Sequence, residues 1–174
     1  MVSQYFFDLY SNLQFNSKLQ YNWKIPSWLI ENKDVILKNL LPLNILTTYQ
    51  IYHDIGKPYC KTYQLDDKTK YHFDNHANIS ADIYKSIDNN EIIYQLIKRD
   101  MDIHLIKANQ LEDFIGKSKL DFNIAISLLI TGLTEIHANA EMFGGIESNS
   151  YKIKYKQIDS RGKQIIKLIK EKQC

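Results

Sequence analysis

The longest apolar stretch of the chain, residues 120–142, constrains the fold more than any other feature. It covers about six helical turns and is apolar on most sides, which favours a helix buried at the centre of a helical bundle. Polar residues interrupt it at Thr134, Glu135, His137 and Asn139. Glu135 and Asn139 are four residues apart and share one helix face. A buried carboxylate needs a partner, so Glu135 is a candidate for a structural or a functional role.

Apolar residues at helical spacing recur along the rest of the chain and predict an all-α bundle. We expect one domain, residues 1–174, with helices over residues 5–13, 27–40, 44–53, 77–87, 91–101, 111–115 and 161–172. The polar segment at 59–70 predicts an exposed loop, with helix resuming near His72. Alternation with a period of two over residues 151–156 allows a short β element there.

Composition and charge argue against several classes of protein. No uninterrupted apolar run reaches the roughly 18–20 residues of a membrane-spanning helix, and residues 1–10 lack the basic start of a secretory signal. We therefore expect a cytoplasmic protein with no membrane partner. Cys60 and Cys174 form neither a disulfide framework nor a CxxC metal motif. No Gly-rich phosphate loop is present, so ATP-driven and hydride chemistry are not supported.

Residues 151–174 form a basic tail. They include eight lysines and arginines against Asp159 and Glu171, a charge of +6, and since the whole chain carries +2, residues 1–150 carry −4. A solvated end rich in helix-favouring lysines is the interpretation that this composition favours. Contact with phosphate groups or nucleic acid is the alternative.

Histidine and aspartate residues cluster in the middle of the chain. The segment Tyr-His-Asp-Ile-Gly-Lys-Pro at positions 52–58 contains the adjacent pair His53 and Asp54, and His72 and His76 follow about twenty residues later. Imidazole nitrogens and carboxylate oxygens are ligands that a divalent metal collects in proteins. The segment is therefore a candidate catalytic centre.

These residues resemble the motifs of the HD superfamily of metal-dependent phosphohydrolases. The wording is most similar to the HD domain attached to bacterial tRNA nucleotidyltransferases, and the resemblance spans residues 44–139. It implies an all-α HD bundle that binds one or two divalent ions, which activate water against a phosphoester. The ion could be Mn, Co, Ni, Fe, Zn or Mg.

The resemblance also implies roles for individual residues. The metal ligands would be His53, Asp54, His76, Asp100 and Glu135; the catalytic residues would be His53, Asp54, Lys57 and His72; and Lys57, Arg99 and Lys61 would bind substrate phosphate. Asp100 stands where many members have histidine, and Glu135 stands where the family usually has aspartate.

One departure from the family pattern is larger. The family ordinarily has a histidine some twenty to thirty residues before the His-Asp pair, and no histidine precedes His53 in this chain. Glu31 or Asp34 could replace it with oxygen, or fewer protein groups and more water could hold the metal.

Together these features predict a metal-dependent phosphohydrolase. Its expected substrate is a nucleotide, or a terminal or 2',3'-cyclic phosphate of RNA. The alternative is a non-catalytic HD module that binds a nucleotide or nucleic acid. The sequence does not indicate an oligomeric state.

Overall fold

The computed structural model describes residues 1–64 and 67–173. It is mostly helical with one small sheet, so the predicted all-α fold with a short β element is confirmed. The helices are α1 (Val2–Phe15), α2 (Ser27–Glu31), α3 (Lys33–Asn39), α4 (Leu43–Tyr52), α5 (His76–Ile87), α6 (Glu91–Lys98), α7 (Asp102–Leu105), α8 (Leu111–Ile115), α9 (Lys119–Ala138) and α10 (Asn149–Gln173). The strands are β1 (Lys61–Gln64) and β2 (Asp67–Phe73), and short 3-10 turns lie at Lys57–Tyr59, Ala108–Gln110 and Ala140–Phe143. Within the described ranges, no helix combines the length and apolarity needed to cross a bilayer.

The chain divides into two compact units. The first, here called the terminal unit, contains Met1–Leu41 and Asp102–Cys174, and the second, the motif unit, contains Pro42–Met101. The apolar helix α9 belongs to the terminal unit, whereas the His-Asp segment belongs to the motif unit.

Helix α9 forms the centre of the terminal unit, as its apolar sequence predicts. Nearly every side chain from position 122 to 138 is buried, and α1, α3, α7, α8 and α10 pack against this helix. A capping box begins α9: Ser118 Oγ accepts from the Asp121 N–H at 3.1 Å, and Asp121 Oδ2 accepts from the Ser118 N–H at 2.9 Å.

Helix α10 occupies most of the basic tail, and the short strand predicted at residues 151–156 is wrong because these residues are helical. Tyr151, Ile158 and Ile165 are fully buried and recur every seven residues. This periodicity places them on one face of a helix, and their burial outweighs the local alternation. Most of the basic side chains of α10 lie outside that buried face and are exposed.

The motif unit contains a β-hairpin where the sequence predicted an exposed loop. Strands β1 and β2 pair antiparallel, with Lys61 opposite Phe73, Thr62 opposite His72, and Tyr63 opposite Tyr71. Thr, Tyr and Phe favour the pleated strand surface, so the alternating residues on both sides form a hairpin. Helix resumes at His76 rather than near His72. Positions 65–66 of the predicted loop lie outside the described residues.

The helices of the motif unit bring two histidines to the same region. Helix α4 ends immediately before His53, and α5 begins at His76 after Asn75, which adopts a left-handed backbone with φ of 62°. Helix α6 packs against both α4 and α5. The Asn90 side chain caps α6 by accepting from the Ile92 and Ile93 N–H groups.

Candidate metal centre

His53 lies at the carboxyl end of α4 and is 5% exposed. Leu46 and Tyr49 are buried, and α4 packs against α5 and α6, so that its last turn presents this imidazole. His53 Nδ1 lies 3.0 Å from the Gln50 carbonyl oxygen, and Nε2 lies 3.5 Å from Asp54 Oδ2. A carbonyl oxygen only accepts hydrogen bonds, so Nδ1 is the donor and carries a proton.

His76 has the same arrangement at the start of α5. Its Nδ1 lies 2.8 Å from the Phe73 carbonyl oxygen and is again the donor. Its Nε2 lies 3.7 Å from Asp54 Oδ1. The two imidazoles therefore approach opposite oxygens of one carboxylate.

These hydrogen bonds decide what the centre can hold. With Nδ1 protonated, the neutral form of each imidazole has a lone pair on Nε2, and each Nε2 lies within 3.7 Å of a carboxylate oxygen. A nitrogen lone pair close to an anion is stabilised by a cation between them, whether a proton or a metal ion. Bonding of the second ring nitrogen to a backbone carbonyl is also the arrangement that orients histidine ligands of metals. The donor set of His53, Asp54 and His76, called the candidate centre below, therefore fits a divalent cation.

The distances within the candidate centre are compatible with a shared ion. Ligands bound at about 2.0–2.2 Å to one ion lie about 3–4 Å from each other, which includes the two nitrogen–oxygen separations. Across residues 1–64 and 67–173, however, no group of three or more His, Cys, Asp or Glu side chains is already arranged as a metal site. Holding an ion would thus require these side chains to move.

Lys57 supplies a positive charge to the centre. Its Nζ lies 2.6 Å from Asp54 Oδ2, and it also lies 5.6 Å from the centroid of the Phe73 ring. The lysine and aspartate side chains are each about one-third exposed. Lys57 therefore pairs with the carboxylate in this structure, and reaching a substrate phosphate would require that pair to loosen.

Gly56 holds the segment after α4 against α5. Its N–H donates to Ser80 Oγ at 2.8 Å. A Cβ at position 56 would lie 2.6 Å from the His76 carbonyl oxygen and 2.6 Å from the Ser80 nitrogen. Glycine is required here because of space, since its φ of −76° is open to any residue.

The other predicted ligands have partners of their own. Asp100 is 3% exposed and accepts a hydrogen bond from the Tyr49 hydroxyl within the motif unit. Glu135 lies in the terminal unit, where its Oε2 is 2.7 Å from His104 Nε2. The structure thus places His53, Asp54 and His76 together, whereas Glu135 belongs to a different unit.

The remaining predicted residues are more exposed. His72 lies on β2 and is exposed, Lys61 lies on β1, and Arg99 follows α6 and is half-buried. The two substitutes considered for the missing histidine, Glu31 and Asp34, are exposed side chains of the terminal unit.

His137 is a core histidine of the terminal unit. It is 1% exposed; its Nδ1 donates to the Leu133 carbonyl oxygen at 2.8 Å, and its Nε2 accepts from the Lys24 N–H at 3.1 Å. Burial is the main cause that lowers the pKa of this imidazole. The neutral ring is therefore fully hydrogen-bonded as it stands.

Sequence reasoning missed a cluster of aromatic side chains beside the candidate centre. Tyr63, Tyr71 and Phe73 lie on one side of the hairpin, because residues opposite each other in an antiparallel pair project from the same face. We call this cluster the aromatic face. The sequence signal for these strands was the alternation of side-chain type at residues 61–63 and 71–73. The polar residues between the two segments obscured it.

Comparisons with known proteins do not assign the chain to a family. No family model, curated protein or solved structure matches it. The resemblance to the HD superfamily therefore stays a prediction based on the motif residues.

Proposed function

We propose that the chain is a metal-dependent phosphohydrolase acting on a nucleotide, or on a terminal or 2',3'-cyclic phosphate of RNA. The observation that carries the proposal is the pair of imidazoles whose Nδ1 atoms bond to backbone carbonyls and whose Nε2 atoms lie 3.5 and 3.7 Å from the Asp54 carboxylate. His53, Asp54 and His76 would hold the divalent ion. Asp100 stays predicted as a further ligand within the motif unit, and a cytoplasmic location belongs to the same proposal.

Each residue near the centre would have a distinct role. A bound divalent ion lowers the pKa of a water molecule and polarises a phosphoryl oxygen. The Gln50 and Phe73 carbonyls keep the two imidazoles oriented. Lys57 would exchange its pairing with Asp54 for a substrate phosphate, so that its charge offsets the developing negative charge.

The more exposed residues would act on the substrate. Arg99 and Lys61 would contact phosphate groups, and His72 would transfer protons from the hairpin. The exposed cations of α10 add a surface that attracts polyanions.

A second candidate function is a module that binds a nucleotide or nucleic acid without turnover. The observation that favours it is the 2.6 Å pair of Lys57 with Asp54, since this ammonium already neutralises the carboxylate in place of a metal ion. The absence of a histidine before His53 points the same way. Under this hypothesis the centre would bind phosphate through Lys57 alone.

Metal content and turnover distinguish the two candidate functions. We would measure bound metal by elemental analysis and test hydrolysis of a panel of nucleotides and RNA 2',3'-cyclic phosphates with Mn, Co, Ni or Mg added. An enzyme should hold about one or two ions per chain and hydrolyse at least one substrate. Absence of metal and turnover across the panel, with salt-sensitive nucleic-acid binding, would favour the module.

The variants Asp54→Asn and His53→Ala test the centre directly. Each should abolish hydrolysis and remove the rise in melting temperature that the metal causes, because bound ligands stabilise the folded state. Asp159→Asn is a matched control, since Asp159 also pairs with a nearby lysine, Lys163, at 2.7 Å but lies on α10. Unchanged hydrolysis rates in both site variants would refute the assignment.

A further inference from the structure

The aromatic face is exposed to solvent. Tyr63 and Tyr71 are 57% and 48% exposed, and Phe73 is partly exposed. The rings of Tyr71 and Phe73 lie 5.3 Å apart in an edge-to-face arrangement. Large aromatic side chains cost free energy when left in water, so an exposed cluster on a two-stranded hairpin is typical of a binding surface.

A cation lies within this face. Lys61 projects from the same side of the hairpin, and its Nζ lies 4.2 Å from the Tyr71 ring centroid and 5.2 Å from that of Tyr63. By sequence, residues 57–73 carry four lysines and two aspartates. Aromatic rings interleaved with positive charge match the chemistry of unpaired bases joined by phosphates.

The aromatic face continues into the candidate centre. The Phe73 ring contacts Lys57, whose ammonium pairs with Asp54, and the Phe73 carbonyl orients His76. A ligand stacked on Tyr71 and Phe73 would therefore lead towards the groups that handle phosphate. A protein partner or a second copy would use the aromatic rings but would have no need of this continuity.

We propose that the aromatic face binds unpaired bases of a single-stranded nucleic acid whose phosphate end enters the candidate centre. The inference rests on the proposed function and deepens it, because it makes a polynucleotide, rather than a free nucleotide, the substrate class. Bases would stack on Tyr63 and Tyr71, Lys61 would contact the phosphate backbone, and Phe73 would lie at the entry to the centre.

The test is a binding measurement without turnover. Fluorescence anisotropy in EDTA would follow labelled single strands of about 10 nucleotides, as RNA and as DNA, against a duplex of equal length and a free nucleotide. We expect either single strand to bind at least about tenfold more tightly than the duplex or the nucleotide, with affinity falling as salt rises.

Two double variants isolate the rings. Tyr63→Ala with Tyr71→Ala should weaken single-strand binding about tenfold or more, since stacking on each ring contributes to affinity. Tyr63→Phe with Tyr71→Phe should retain it, because the ring faces remain. Tyr21→Ala, an exposed tyrosine of the terminal unit, is the matched control and should bind as the unaltered chain does.

Several results would overturn the inference. One is that the protein binds single strands and duplex with equal affinity, and another is that the two double variants bind single strands equally well. A third is that the chain self-associates through the rings and binds no oligonucleotide. Because the binding assay contains no metal, it is independent of the activity test. Single-strand binding without hydrolysis would contradict the proposed function alone, and hydrolysis of nucleotides without single-strand binding would contradict only this inference.

Discussion

Replacing Gly56 with alanine tests how the candidate centre is held together. The new Cβ would lie 2.6 Å from two backbone atoms of α5, the His76 oxygen and the Ser80 nitrogen. Both separations must open to about 3.4 Å before they become ordinary contacts. Since neither neighbour is the end of a flexible side chain, the segment after α4 must move away from α5.

The expected free-energy change combines opposing effects. Overpacking of this kind costs about 1–3 kcal/mol, and weakening of the 2.8 Å bond from the Gly56 N–H to Ser80 Oγ costs about 0.5–1.5 kcal/mol. Alanine restricts the unfolded chain and recovers about 0.4–1 kcal/mol. We therefore expect a net loss of about 2 kcal/mol, which in a chain of this length lowers the melting temperature by roughly 4–8 °C.

Urea and thermal unfolding followed by circular dichroism would measure this loss, and metal titration would report the candidate centre. Ser80→Ala is the control, because it removes the hydroxyl but keeps both backbone neighbours. The double variant Gly56→Ala with Ser80→Ala should stay destabilised, since both 2.6 Å contacts are with backbone atoms. A Gly56→Ala chain as stable as the unaltered one, with unchanged metal affinity, would refute the reasoning.

Three further experiments test the packing and the buried polar groups. Gly162→Ala would put a Cβ 2.3 Å from Trp28 Cε2 and should lower the free energy of unfolding by about 1–3 kcal/mol. The same substitution should cost less in a Trp28→Leu chain, because leucine is smaller than tryptophan. Burial lowers the folded-state pKa of His137, so the unfolded chain takes up a proton first as the pH falls. The contribution of His137 to stability should be fully present above about pH 6.5. Below that pH it should fall by at most about 1.4 kcal/mol per pH unit, until the folded-state pKa is reached. Urea unfolding between about pH 7.5 and about pH 5.5 should show that this component is missing from His137→Gln, and identical slopes would contradict it. Tyr49→Phe removes the hydroxyl that donates to buried Asp100 and should cost about 1–3 kcal/mol, whereas a neutral effect would mean that another group compensates.

Apolar residues at helical spacing predicted most of the helices, although residues 27–40 form two helices rather than one. The apolar residues of α9 gave its location because they fill successive helical turns, and Gly116 and Ser118 mark its start by turn and cap chemistry. The hairpin was missed because its strands are short and flank polar residues. Residues 151–156 were misassigned for a related reason, since a period of two over six residues is weaker evidence than the recurrence of Tyr151 and Ile158 along a longer helix.

The grouping of side chains in the candidate centre was predictable where its residues are adjacent in sequence and less so elsewhere. His53 and Asp54 are neighbours in the chain, and the spacing to His76 is part of the motif. The hydrogen bonds that orient the two imidazoles come from backbone carbonyls, and no residue type in the sequence encodes them. The pairing of Glu135 with His104 depends on the contact of α7 with α9, which the sequence did not reveal.

Phe73 connects the hairpin to the centre in two chemically independent ways. Its ring belongs to the aromatic face, while its carbonyl oxygen accepts the hydrogen bond from His76 Nδ1. A carbonyl is present whatever side chain the position carries. Under the proposal for the aromatic face, substitutions at position 73 would alter ligand binding while the His76 imidazole keeps its orientation.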